Sequence, residues 1–107
     1  MANSFKNAKV DLTTTNATVL YTVPSATTTI VKSILVSEDS GNADTITVTL
    51  TNASSAVFSL FKVKAVGANT TIELLTAPLV VTESEIIKVT AATANRLHVV
   101  ASLLEVS

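Results

Sequence analysis

Hydrophobic and polar residues alternate in short runs along this chain, most plainly in DTITVTLT (44–51). There Ile46, Val48 and Leu50 fall on one side, and Thr45, Thr47, Thr49 and Thr51 on the other. Strict alternation is the period of a strand, because successive Cβ atoms point to opposite faces of a sheet. Other runs rich in β-branched residues share this character: FKNAKVDL (5–12), ATVLYTV (17–23), TTIVKSILVS (28–37), AVFSLFKVKAV (56–66), TTIELL (70–75), PLVVT (78–82), EIIKVTA (85–91) and RLHVVASLLEV (96–106). Short strands at this spacing predict an all-β fold: an antiparallel β-sandwich, jelly-roll or Ig-like, of about eight to nine strands.

The breaks between runs have local causes. Pro24 fixes φ and lacks an N–H, so YTVPSAT closes one strand and turns the chain before Thr28. EDSGNAD (38–44) joins Gly41 and Asn42, which tolerate positive φ, to Asp and Ser side chains that bond nearby backbone. It reads as a connection between two paired strands. VGANTT around Gly67 is a further turn, and TESE (82–85) and ATAN (92–95) are tight polar connections.

Two runs carry apolar residues on both faces. In VFSLFKVKAV, Phe58 and Leu60 lie opposite Val57, Phe61 and Val63; in RLHVVASLLEV, Leu97, Val99, Ala101 and Leu103 lie opposite Val100, Leu104 and Val106. A strand buried on one face would not need this, so each is either central and covered on both sides or covered by another subunit. Leu97, Val100, Ala101 and Leu104 also recur at helical spacing, but Val99, Val100 and Val106 favour a strand.

Composition narrows the classes. The 107 residues suit one domain, 1–107, with no linker or internal repeat. Charged residues are 14% against a usual share of about 25%, so much of the surface is hydroxylated or apolar and suits contact with protein. A net charge of -1 gives no basic field for phosphates or anionic lipid, and the scattered lysines offer no nucleic-acid groove. There is no cysteine, hence no disulfide or thiolate metal site. No basic, apolar leader opens the chain and no apolar run of about 18 residues occurs, which reads as a soluble protein that keeps its N-terminus. A mean hydropathy of +0.53 fits a rich β core together with a subunit interface.

Candidate chemistry is sparse. His98 is the only histidine and lies inside an apolar run, where imidazole is usually structural. Glu38 with Asp39, Glu83 with Glu85, and the distant Asp44, Glu73 and Glu105 could pair as acid and base only by converging in a pocket. In EDSGNAD short acids ordinarily bond backbone, and its spacing lacks the frame of a calcium loop. No glycine-rich phosphate loop occurs. Asn16, Asn52 and Asn69 begin N-x-S/T tripeptides, which in a chain so rich in Asn, Ser and Thr read as turn residues. The expectation is no enzyme, no cofactor and no metal.

The segments SFKNAKVDL, VLYTVPSATTTIVKSILVSE, DTITVTLT and IELLTAPLVVTESEIIKVTAATANRLHVVASLLEV together resemble small virion structural proteins of tailed bacteriophages, notably phages of marine cyanobacteria. The resemblance spans Ser4 to Val106. It implies a β-sandwich subunit without enzymatic activity, present in several copies on the head, neck or tail of a particle assembled in the bacterial host cytoplasm. Its partners would be copies of itself and other virion proteins, not nucleic acid or membrane. Where similar proteins often place glycine, this chain has TESE and SATT. Candidate interface residues are Thr45, Thr47, Thr49 and Thr51, with Phe58 and Leu60 as anchors. The alternative is a carbohydrate-binding module for host attachment, although the chain has no Trp and one Tyr to stack on sugars.

Overall fold

The computed structural model describes residues 3–107, and all its regular elements are strands. They are β1 (Asn3–Asp11), β2 (Thr18–Thr22), β3 (Thr28–Glu38), β4 (Asp44–Thr51), β5 (Val57–Val66), β6 (Thr71–Glu73), β7 (Leu79–Val81), β8 (Ile86–Ala91) and β9 (Leu97–Val106). Each falls on one of the alternating runs, and the C-terminal run is a strand, as its valines require.

Two antiparallel sheets form. The five-stranded one runs β1-β9-β3-β6, with β7 also on β3; the four-stranded one runs β2-β8-β4-β5. The pairs β1 with β9, β2 with β8, β3 with β6 and β7, and β4 with β5 nest inside one another like rungs of a single long hairpin. Rolling that hairpin adds the β3–β9 and β4–β8 ladders. Of the two sandwich topologies the sequence left open, this is the jelly roll, with β6 and β7 sharing the place of one strand.

EDSGNAD therefore does not join paired strands. It carries the chain from β3 in one sheet to β4 in the other. Turn residues specify a reversal, with Gly41 at φ 84, but not which ladder the next strand joins. Non-glycine residues hold positive φ elsewhere: Ala26 (φ 56) in SATT and Ser84 (φ 69) in TESE. An alanine in this region costs about 1–2 kcal/mol relative to the ordinary helical conformation. Ala26 is exposed and only its backbone N–H is used, by the Glu83 carboxylate at 3.0 Å. Ala26→Gly is therefore expected to stabilise the fold by about 0.5–1 kcal/mol in urea titration; a loss would contradict this account.

The core lies between the sheets. Val31, Ile34 and Val36 on β3, Ile46 and Val48 on β4, Ile87 and Val89 on β8, and Leu97, Val99, Ala101 and Leu103 on β9 are all buried. In β3 the inward set changes parity because the ladder to β9 shifts between Val31 and Ser33, with Lys32 as the extra residue of a bulge. On the other side of β3 the same stretch separates its pairing with β7, through Thr29–Val31, from its pairing with β6, through Leu35–Ser37. Glu73 fills the break: its carboxylate accepts from the Ser33 hydroxyl, from the Ile34 N–H at 2.8 Å and from the Leu75 N–H at 3.2 Å.

Candidate interaction surfaces

The threonine row lies on the outer face of the four-stranded sheet. Its neighbours extend the hydroxylated surface: Thr47 is opposite Thr90, and Thr49 is opposite Lys88 on one side and Ser59 on the other. Thr45, Thr47 and Thr49 are half-buried. Thr47 has work of its own, since its hydroxyl accepts the Val63 N–H at 3.1 Å. Val63 holds φ 52 where β5 bulges against β4. Thr51 is nearly enclosed between Ile86 and Val57, and its hydroxyl has no hydrogen-bond partner among the described residues.

Phe58 and Leu60 are separated by their surroundings. β5 is an edge strand, so the reading of this run as central and covered on both sides does not hold for it. Phe58 stays exposed, whereas Leu60 packs against the core at the open flank. There a cleft of about 470 Å³ lies between β5 and the β6–β7 segment, lined by Leu60, Phe61, Lys64, Glu73, Leu75 and Pro78 among others.

The outer face of the five-stranded sheet carries the larger apolar feature. Phe5 pairs with Leu104, Leu104 with Ile30, and Ile30 with Val80, which makes one transverse row across β1, β9, β3 and β7. Phe5 is 75% and Val80 57% exposed. Leu35 and Val100 form a second pair on the same face. Lys32 from the bulge lies 5.7 Å from the Phe5 ring centroid, a cation–π approach. Alternation set Val100 and Leu104 on one face of their strand without saying which face met the core, and Phe5, Ile30 and Val80 belong to strands distant in sequence. Only the ladders align them.

Most acidic groups are spent on backbone. Glu38, the buried last residue of β3, accepts from the Ser40 hydroxyl, the Ser40 N–H at 2.8 Å, the Gly41 N–H at 3.1 Å and the Asn69 N–H at 3.0 Å. Burial would raise its pKa, but these donors outweigh burial and hold it at about 2. Glu73 is likewise lowered, burial being overcome by its bonds to Ser33, Ile34 and Leu75. Asp44 accepts the Thr93 N–H at 3.1 Å, tying β4 to the β8–β9 connection. These three acids hold loops to strand ends.

One polar cluster bridges the sheets. The Tyr21 hydroxyl donates to Glu105 at 2.5 Å and lies 2.9 Å from the Thr29 hydroxyl, while the Lys6 ammonium sits 3.0 Å from Glu105. Burial and the bond to Glu105 push the Tyr21 pKa up to about 12. The Tyr21 and Lys6 hydrogen bonds, against burial, lower that of Glu105. His98 stands at the start of β9 with Nε2 3.2 Å from Asp11 and Nδ1 3.7 Å from Asp39, the imidazole half-buried and both carboxylates exposed.

These surfaces belong to an antiparallel jelly-roll sandwich. No family model and no curated protein matches the sequence. Among solved structures, a chain in the structure of infectious bursal disease virus Gt strain resembles 98% of this chain with a TM-score of 0.42 and 8% identity. The present chain spans 30% of that one's length.

Proposed function

We propose that the protein is a non-enzymatic structural component of a bacteriophage virion, a multi-copy subunit of the head surface, neck or tail that assembles through its outer sheet faces. The observation that carries this reading is the transverse apolar row Phe5, Leu104, Ile30 and Val80, which no element of the chain covers among the described residues. An exposed apolar row flanked by polar positions is a surface for contact with protein. The sequence resemblance to phage structural proteins supplies the setting. Jelly rolls occur in viral capsids and also in lectins, so the fold agrees with both settings, and the uncovered apolar row is what supports the first.

The direct test is mass spectrometry of purified phage particles, followed by incorporation of variants. Val80→Lys is expected to fold as the native protein does, because the side chain is 57% exposed, and to be incorporated at least about tenfold less. Normal incorporation would reject this face. Thr49→Glu tests the threonine face without disturbing the Thr47 bond to the β5 bulge, and sets the new charge opposite Lys88; normal incorporation would reject that face. Absence of the protein from particles would reject the virion role.

Carbohydrate binding is the second reading, favoured by the cleft that holds Phe61, Lys64 and Glu73. Specific, saturable signals on a glycan array, lost on Phe61→Ala, would support it.

A further inference from the structure

A sheet edge is a row of unpaired N–H and C=O groups that templates another strand unless something blunts it. Among the described residues, three of the four edges are short or irregular in register. β2 has five residues, a ladder irregularity between Val19 and Tyr21, and Pro24 just beyond it. β5 carries register shifts on both sides of Val48 and the positive φ of Val63. β6 and β7 have three residues each, separated by a break that includes Pro78. The fourth edge, β1, is nine residues long, holds an unbroken register with β9 from Asn3 to Asp11, and contains neither glycine nor proline.

The direction of its free groups follows from one bond. Leu12 continues the β1 register and donates its N–H to the Leu97 carbonyl at 3.0 Å. In an antiparallel ladder such hydrogen-bonded pairs alternate with non-bonded ones, so Val10, Ala8, Lys6 and Ser4 also bond β9. Phe5, Asn7 and Lys9 then turn their main-chain N–H and C=O away from the sheet.

We propose that β1 pairs with β1 of a second copy, antiparallel about a two-fold axis at Asn7, joining two five-stranded sheets into one. Asn7 faces Asn7 of the other copy, Phe5 faces Lys9, Lys6 faces Ala8, Ser4 faces Val10 and Asn3 faces Asp11. This register uses the whole strand, brings outward-facing main-chain groups opposite one another, and sets no like charges directly opposite. Centring on Lys6 or Lys9 would place lysine against lysine, which disfavours those registers. The Lys9 stem covers Phe5, and Lys6 keeps its ion pair with Glu105 on the inner side. The apolar rows of both copies end up on one continuous face. The inference rests on the edge geometry and holds whatever the protein's wider role.

Because the chain has no cysteine, Asn7→Cys is a clean probe. A hydrogen-bonded antiparallel pair has Cα atoms about 5.5 Å apart, inside the range of about 4.4–6.8 Å that a disulfide spans. Mild oxidation is expected to convert this variant to a disulfide-linked dimer, while Val63→Cys on the β5 edge stays largely monomeric. Equal cross-linking of the two would overturn the proposal. Asn7→Pro removes an outward N–H and no bond to β9, and an edge strand tolerates the fixed φ of proline, so it should keep the native circular-dichroism spectrum and weaken dimerisation at least about tenfold in light scattering. Undiminished dimerisation of that variant, or a wild-type protein that stays monomeric at millimolar concentration, would also overturn it. Should Asn7→Pro fail to fold, the cysteine pair decides.

Discussion

Replacing Glu38 by alanine is expected to lower the thermal midpoint by on the order of 10 °C, the largest effect of any single polar substitution in this protein. The carboxylate is 1% exposed and is the shared acceptor for donors from two connections, Ser40 and Gly41 after β3 and Asn69 after β5. Alanine leaves those donors without their acceptor and unties the two loops from each other. A change under about 2 °C would show that water replaces the carboxylate without loss.

The same group sets an acid limit. Its pKa falls from 4.5 to about 2 on folding, so the folded state binds its proton less readily than the unfolded chain does. The stabilisation is complete above about 4.5 and is lost as the pH falls through about 2. Glu73 and Glu105 are lowered as well and act with the same sign. Glu38→Gln should flatten the dependence of stability on pH in that window. An unchanged slope would assign acid unfolding to the other carboxylates. Tyr21 acts at the opposite end: its pKa rises from 10.0 to about 12, so its contribution is present below 10 and lost as the pH climbs through about 12.

Ile34→Ala is expected to cost about 2–5 kcal/mol, measured as a shift of the urea midpoint at constant slope. Ile34 is fully buried, and lies opposite Ala101 of β9, itself too small to fill the space left behind. A domain of this size has about 5–15 kcal/mol in all, so the variant sits near the limit of folding. A cost below about 1 kcal/mol would mean that the sheets close over the gap, which β3 resists because its main chain is fixed at this point: the Ile34 N–H bonds Glu73 and its carbonyl accepts from Leu74 at 2.9 Å.

The strands were legible because their signal is local. DTITVTLT has one register that buries Ile46 and Val48, and the pleat puts Thr45, Thr47 and Thr49 on the other face. RLHVVASLLEV likewise buries Leu97, Val99, Ala101 and Leu103 together. The break in TTIVKSILVS was not legible. Its alternation carries through Val31 and resumes at Ile34 with opposite parity, and only the ladders to β9, β6 and β7 show that Lys32 is the extra residue. EDSGNAD misled for a related reason, since a hairpin turn and a passage between sheets use the same residues.

The candidate surface followed the same division. Thr45, Thr47 and Thr49 were placed on an outer face by alternation alone, but neither the Thr47 bond to a bulge sixteen residues away nor the enclosure of Thr51 has a local cause. Phe5, Ile30, Val80 and Leu104 looked unrelated along the chain.

The sequence by itself determined the strands, the turns between them and the inward face of β4, because pleat period and turn chemistry act over a few residues. The tertiary structure alone decided the nested jelly-roll pairing, the alignment of the apolar row and the one regular edge at β1. Those depend on which ladders form between residues far apart in sequence, and on where bulges and breaks interrupt them.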